Sequence, residues 1–476
     1  MDVAPAFSVL LLFLVRLSLW VVEAEVHHYD FVVAEKKFTR LCKTKSMLVV
    51  NGQFPGPTIY VHKGDTVLVN VHNHGDYGLT IHWHGVKQPR NPCNRDWTRN
   101  TVHGAIVVYP HGSSYPFPTP HGEQILIFGT WFTYDVNKVI KEILRTGKDV
   151  PISDAYIING QPGDFCACSK EMTYRWQVDY GKTQYYTDNL FFTGYDKTNA
   201  TAILEYRGRY NRLSSVFFPE TLPSYTDYDS ATQFRKNLKS LASKEHLIHV
   251  PGNITTRMYI TASMDRIVHA DMDYTLLSSL NNISWVNPST DVLQAYYRNL
   301  SGIYTSDFPD EPPYYFDFVA DLGDTSTHPL KGTKVKILEY GEEVEIVFQS
   351  TNLLNASDEH SMYIHGNKYY VLGEGYGNFN STRDPETYNL VDPPYLSTAS
   401  LPVKGWLTIR FKANNPGVWG MHCQEGRHLI WGMNTVLIVK NGINPETSIR
   451  SPPPNMPSCQ SSLSILRGRP LEVSAE

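Results

Sequence analysis

The chain has 476 residues, which at about 150 residues per domain points to roughly three domains. Apolar residues make up 41% of it and charged residues 19%, a balance that excludes intrinsic disorder. The net charge is −5, from 42 Lys plus Arg against 47 Asp plus Glu, and with no basic run a nucleic-acid partner is excluded.

The first 24 residues carry an apolar stretch from Phe7 to Val22, interrupted by Arg16. The stretch is short for a membrane span. Val22-Glu23-Ala24 offers a cleavage point, so residues 1–24 read as a secretory signal peptide, with an apolar N-terminal strand as the alternative. No other stretch is long and apolar enough to cross a bilayer, and no membrane partner is expected. Residues 26–109 break into short runs rich in β-formers: Phe31–Ala34, Met47–Val50, Thr58–His62, Thr66–His72, Leu79–His84 and Ala105–Tyr109. Gly, Pro, Asn and Asp clusters separate them, as in a β-sandwich or barrel. The count of 30 Pro, 32 Gly and 30 Tyr fits that class.

Further on, Ile157-Ile-Asn-Gly-Gln-Pro-Gly163 echoes Val50-Asn-Gly-Gln-Phe-Pro-Gly56. Phe234, Leu238 and Leu241 follow Asp229 and Ser230 at i, i+4 and i+7, which predicts a short amphipathic helix within 231–243. Residues 244–320 read as irregular linker, and 333–440 return to strands. The tail from Ser451 opens Ser-Pro-Pro-Pro and reads as extended surface chain. The sequons at Asn199, Asn253, Asn282, Asn299, Asn355 and Asn380 support export and glycosylation.

An internal repeat carries the first chemical signal. Val61-His-Lys-Gly-Asp-Thr-Val-Leu-Val-Asn-Val71 leads to Ile81-His-Trp-His-Gly85, and Glu339-Tyr-Gly-Glu-Glu-Val-Glu-Ile-Val-Phe348 leads to Met362-Tyr-Ile-His-Gly366. Each reads as a strand, a spacer and a strand ending in histidine, which suggests a duplicated metal-binding sandwich. On a strand, His82 and His84 point one way, as do Tyr363 and His365. Such a pair is half a transition-metal site, or a pair of ordinary exposed histidines.

The C-terminal cluster is sharper. His422-Cys423 is followed by His428 and Met433, and His360 lies upstream on the repeated strand. Two imidazoles, a thiolate and a weak axial thioether form a blue-copper ligand set. The bland alternative is a buried Cys beside chance histidines and a core Met. If Cys423 faces the copper, His422 faces the opposite side and can ligate a second centre one peptide unit away. His27, His28, His72, His74, His103, His111 and His121 have no partner at useful spacing, and Glu342-Glu343 reads as a solvated face.

These residues resemble those of plant laccases, which are multicopper oxidases. The resemblance covers almost the whole mature chain through Asn51-Gly-Gln-Phe-Pro-Gly-Pro-Thr58, Thr80-Ile-His-Trp-His-Gly-Val-Lys-Gln88, Thr101-Val-His-Gly-Ala105, Ser153-Asp-Ala-Tyr-Ile-Ile-Asn-Gly-Gln-Pro-Gly-Asp164, Ser284-Trp-Val-Asn-Pro288 and Phe411-Lys-Ala-Asn-Asn-Pro-Gly-Val-Trp419. It implies an all-β fold of tandem cupredoxin-like Greek-key sandwiches. It also implies a secreted, apoplastic, monomeric enzyme that oxidises phenols such as lignin precursors and reduces O2 to water. The domains implied are 25–150 (first, shortened), 151–206 (remnant of the second), 207–320 (linker with the short helix), 321–445 (third) and a tail at 446–476. Four coppers are implied, one of them (type 1) on His360, Cys423, His428 and Met433, and three in a cluster held by eight histidines. By the same resemblance Cys42 bridges to Cys168 and Cys93 to Cys459, leaving Cys166 over.

Against that pattern the cluster is incomplete. His82, His84, His365 and His422 match it, whereas Pro92 and Asn94 stand where the second motif has its histidines, Tyr363 replaces one in the third, and Gln424 one in the fourth. The second domain is also cut after Val178-Asp-Tyr-Gly-Lys-Thr183. Three outcomes stay open from sequence: an active laccase, a non-catalytic protein with a single type 1 copper, or a defective or mis-spliced product.

Overall fold

The computed structural model describes residues 24–76, 78–92, 101–110, 122–162, 227–243, 247–271, 273–321, 328–353 and 357–452. The leader, residues 163–206 with the expected cut in the second domain, and the tail beyond 452 lie outside these residues. So do Cys93, Asn94, Cys166, Cys168, Cys459, Asn199 and Asn355.

The first unit is built on β1 (Val26–Arg40) and β2 (Lys43–Val50), which run antiparallel through a turn at Leu41-Cys42. Then come β3 (Ile59–His62), β4 (Thr66–Asn73) and β5 (Ile106–Tyr109). β4 lies parallel to β1, and β3 parallel to β5. Alternation sets the core: Phe31 and Val33 of β1 pack with Val50, Ile59, Val61 and Val69, while Val32 between them is exposed. β6 (Phe128–Trp131) and β7 (Ala155–Ile158) form an antiparallel pair. Their Trp131 and Ile157 pack on Met47 and Val49 of β2. Between them runs α1 (Val136–Thr146), capped by the Asp135 carboxylate at Asn137 N and closed by Gly147 in the left-handed region.

The expected helix forms earlier than its apolar spacing suggests, as α2 (Tyr228–Lys236) behind an Asp227 cap. Phe234 is exposed, and Leu238 and Leu241 lie beyond the helix and are exposed too. What anchors α2 is polar: Thr232 is buried against the Tyr376 hydroxyl, and Arg235 pairs with Glu374 and Glu359.

The expected linker at 244–320 instead contributes three strands to a large sheet, and a helix. These are β8 (Thr256–Val268), β9 (Tyr274–Leu280), β10 (Ile283–Trp285) and α3 (Val292–Arg298). The chain continues with β11 (Leu330–Gly332), β12 (Val335–Leu338), β13 (Glu343–Ser350), β14 (His360–Ile364), β15 (Tyr369–Tyr376), β16 (Tyr395–Leu396), β17 (Thr398–Leu401), β18 (Gly405–Lys412), β19 (Gly417–Cys423), α4 (Gly426–Trp431) and β20 (Asn434–Val439). One sheet runs β11-β10-β9-β8-β13-β18-β15-β16 and the other β12-β20-β19-β14-β17. Ile260, Leu280, Ile346, Phe348, Leu407 and Ile409 of the first sheet share one core with Met362, Ile364, Trp419, Met421, Leu437 and Val439 of the second. Two sheets closed over one apolar layer make a β-sandwich, and the all-β expectation holds.

The loop after Leu79 docks on this sandwich. The buried Asn415 side chain accepts from Arg90 N at 2.8 Å and donates to Lys87 O at 2.8 Å and Gly366 O at 2.7 Å. Lys87 Nζ reaches Asn414 Oδ1 at 2.9 Å, and Arg90 Nη1 reaches Pro445 O at 2.6 Å. Asn415→Ala would strand buried backbone groups at a cost of roughly 1–3 kcal/mol. The expected result is a lower melting temperature together with faster proteolytic cutting within 86–91; unchanged cutting would show that the loop is held elsewhere.

Candidate metal centres

Strand alternation on β14 places His360 and Met362 on one face, and the ladder sets Met362 opposite Cys423. β19 ends at Cys423, α4 supplies His428, and Gly432 at φ 113° turns the chain into Met433 and β20. The four side chains sit in the sandwich core, His360 1% exposed and Cys423, His428 and Met433 0%. His428 Nδ1 lies 3.3 Å from His360 Nδ1 and 3.5 Å from Cys423 Sγ. A first-row ion at roughly 2.0–2.3 Å from N and S sets trigonal donors about 3.5 Å apart. Among the described residues this is the one set of three His, Cys or carboxylate donor atoms within 4.8 Å of one another. The residues therefore fit a copper ion.

Burial keeps the set neutral until an ion arrives. It lowers His360 to about 3, lowers His428 well below the usual imidazole range, and pushes the Cys423 thiol up. Metal binding must displace the thiol proton. Supports come from residues that sequence spacing did not single out. Ser278 Oγ donates to His428 O at 2.6 Å and Ser284 Oγ to Trp431 O at 3.1 Å, both from the strands that replace the expected linker. Asp358, which burial raises to about 8, brings Oδ2 to 3.6 Å from His428 Nε2.

The second cluster lies on the other face of the same two strands. Tyr363 is the ladder partner of His422. His365 Nε2 is 2.9 Å from His422 Nε2, and the Tyr363 hydroxyl is 3.1 Å from His82 Nε2. His82 packs on His365 with ring centroids 4.4 Å apart, and His84 stacks on Tyr363 at 4.3 Å. Thr398 Oγ1 lies 3.3 Å from His84 Nε2. The expected strand Leu79–His84 is not one: residues 78–83 are irregular and His84 begins a turn. The His82 and His84 rings stand at 80° to each other and reach the cluster through the docked loop rather than through strand alternation.

Four imidazoles and one phenol do not fit three coppers, to which the implied pattern gives eight imidazoles. Pro92 is buried and offers no donor. Gln424 N donates to Ser361 O at 2.8 Å, a backbone bond that closes the edge between β14 and β19. The His422 Nδ1–H donates to Cys423 O at 2.8 Å, so the two centres are joined by one peptide unit and by one hydrogen bond. Of the cysteines, Cys423 is free and buried, and Cys42 is disulfide-bonded. The partner expected for Cys42, Cys168, and the expected Cys93–Cys459 pair lie outside the described residues.

A thiolate-type centre and a histidine cluster back to back on paired sandwich strands define a multicopper oxidase. Multicopper oxidase family models match residues 32–99, 122–187 and 306–442. The chain belongs to this family, whose cofactor is copper. It is 38% identical to Laccase-21 of Oryza sativa subsp. japonica, covering 91% of this chain and 94% of that one. It is 36% identical to Laccase-14 of Arabidopsis thaliana, covering 94% and 96%. The alignment with Laccase-21 runs over 553 residues but uses 91% of the 476 here, about 433, so about 120 of its positions fall opposite gaps in this chain. Among solved structures, the laccase from Botrytis aclada superposes with a TM-score of 0.57 at 17% identity, over 90% of this chain and 89% of that one. Fet3p, a multicopper oxidase that functions in iron import, gives 0.57 at 16%, over 87% and 90%.

The turn at Gly432 holds both flanking donors. A Cβ there would meet Ser284 Oγ and come within 2.9 Å of Trp285 N, at a φ that side chains rarely adopt. Gly432→Ala should cost roughly 1–3 kcal/mol and displace His428 and Met433. The expected outcome is a lower melting temperature of the metal-free protein and weakened copper uptake; wild-type behaviour in both would show that the turn is not what sets the donors.

Proposed function

We propose that this chain is a secreted laccase-type oxidase that takes electrons singly from phenols at the His360–Cys423–His428–Met433 centre, with the O2-reducing half impaired. The observation that carries the reading is the contrast between the two faces: a compact, fully buried donor triad on one, and four of the eight implied imidazoles on the other. The laccase relatives in rice and Arabidopsis support the substrate class, phenols and O2.

Copper bound at the triad would supply a one-electron acceptor. The chain's own groups determine how well it is held. Cys423 would give the anionic donor, His360 and His428 the two imidazoles, and Met433 a weak thioether. Ser278 and Ser284 fix the backbone of α4, so the donors are preorganised rather than gathered by the ion. Asp358 Oδ2 lies 3.6 Å from His428 Nε2 on the outer side of the imidazole, beyond hydrogen-bond distance. The dry surroundings exclude water from the thiolate. The residues of the second face, lacking half the imidazoles, are not assigned a four-electron step.

Export fits the leader and the sequons. Asn253, Asn299 and Asn380 are exposed. No helix among the described residues is long and apolar enough to cross a membrane.

The test is to load the purified full chain with copper and add a phenol under air. Expected are a blue chromophore that one equivalent of phenol bleaches, and O2 uptake far below that of an intact laccase. Cys423→Ser should abolish both colour and bleaching. A colourless copper-loaded protein would overturn the electron-accepting half of the reading. Sustained catalytic O2 uptake would overturn the impairment.

A further inference from the structure

Asp65 closes the turn between β3 and β4. His62 N donates to its Oδ2 at 2.7 Å, and Asp65 N donates back to His62 O at 3.1 Å. His27 Nε2 lies 2.9 Å from the same oxygen, and Oδ1 accepts from Glu25 N at 3.1 Å. The side chain is 4% exposed. The bond from His62 N, followed by that from His27, holds the Asp65 carboxyl at about 2, so it is a carboxylate at neutral pH. A carboxylate held out of water ordinarily pairs with a cation. Among the described residues its ion-pair partners within 4.0 Å are the His27 and His62 rings, which carry charge only when protonated, and no Lys or Arg.

A second observation lies at Glu25. Its N–H is on Asp65 Oδ1 and its carbonyl accepts from Thr66 N at 2.8 Å, so both backbone groups are held one residue before β1 begins. From there β1 runs parallel to β4, from Val26 opposite Thr66 to Val33 opposite Asn73. His74 N, donating to Val33 O at 2.8 Å, closes the far end of that ladder. Ala24 and Glu25 are exposed and lie in irregular backbone ahead of the strand. The bond between them is open to a peptidase, and it directly follows Val22-Glu23-Ala24.

We propose that leader removal cuts the Ala24–Glu25 bond and that the Asp65 carboxylate receives the α-ammonium group so made, locking the start of β1 onto β4. In the cut, a signal-type peptidase adds water across the bond. The carbonyl carbon–nitrogen bond breaks, Ala24 leaves with the leader as a carboxylate, and the Glu25 nitrogen takes up the proton. A neutral amide donor on Asp65 Oδ1 thereby becomes a cationic one. Charge-assisted hydrogen bonds are shorter and about twice as strong as neutral ones. Asp65 therefore holds the processed chain more firmly than the precursor, and the nearly buried carboxylate gains the fixed cation that no Lys or Arg supplies.

This inference rests on the export reading in the proposed function, and its test separates the two. The full chain is expressed in a secreting host, and the N-terminal peptide of the secreted protein is identified by mass spectrometry. Expected is a start at Glu25. Amide exchange across Val26–Phe31 is then compared in the unmodified chain, in Asp65→Asn, in a chain with Gly-Ser inserted between Ala24 and Glu25, and in the combination. The insertion moves the ammonium away and leaves the bonds of Asp65 to His62 and His27 in place. It should speed exchange about 10-fold or more in β1 and β4, with exchange in β14 and β19 unchanged. In the Asp65→Asn chain the same insertion should add almost nothing, because both changes remove one pair. An insertion without effect on β1 in the otherwise unmodified chain would overturn the ion pair, as would equal effects of the insertion with and without Asp65→Asn. A secreted chain that begins at another residue would overturn the cleavage site and leave export standing. A chain kept in the cell with its leader attached would overturn both.

Discussion

The antiparallel register of β14 against β19 governs the chemistry of this protein. It places Met362 opposite Cys423 and Tyr363 opposite His422. Because successive side chains on a strand point to opposite faces, the same few residues supply a dry sulfur-containing centre on the core side and a histidine cluster on the other. A slip of one residue would exchange the faces. The register is well defended, since Met362, Ile364, Met421 and Cys423 are all 0% exposed within the shared core. Stability of the sandwich and the position of the donors are therefore one property rather than two.

The core donors were legible in the sequence because they sit close together on a regular hairpin. His422, Cys423, His428 and Met433 fall within two strands and a short helix, and the repeated strand marks His360. The groups that steady them were not legible. Ser278 and Ser284 lie about 150 residues upstream and meet α4 only because β9 and β10 extend the sheet. Serines in succession read as loop; here Ser278 is 0% exposed with its hydroxyl satisfied by a carbonyl. Asp358 was hidden for a similar reason, since a lone carboxylate beside Glu359 reads as surface until burial is known.

The remaining misreadings also have physical causes. Leu79–His84 has the two-residue period of a strand, but a strand needs a ladder partner, and among the described residues none lies alongside it. The helix expected from Phe234, Leu238 and Leu241 does form, but earlier in the chain and on other contacts, since those that fix α2 are made by Thr232 and Arg235. Periodicity records which residues could share a face. It does not record which face the rest of the molecule covers.

The two centres differ in what their integrity requires. Every donor of the core centre, and both serines that support it, come from residues 278–433, inside one sandwich. The second cluster instead borrows His82 and His84 from a loop of the first unit, held in place by Asn415, Lys87 and Arg90. Loss of sequence in the first and second units therefore falls on the histidine cluster and spares the thiolate centre. That asymmetry explains how a chain with about 120 alignment positions missing against a laccase relative can keep an intact set of donors for one copper.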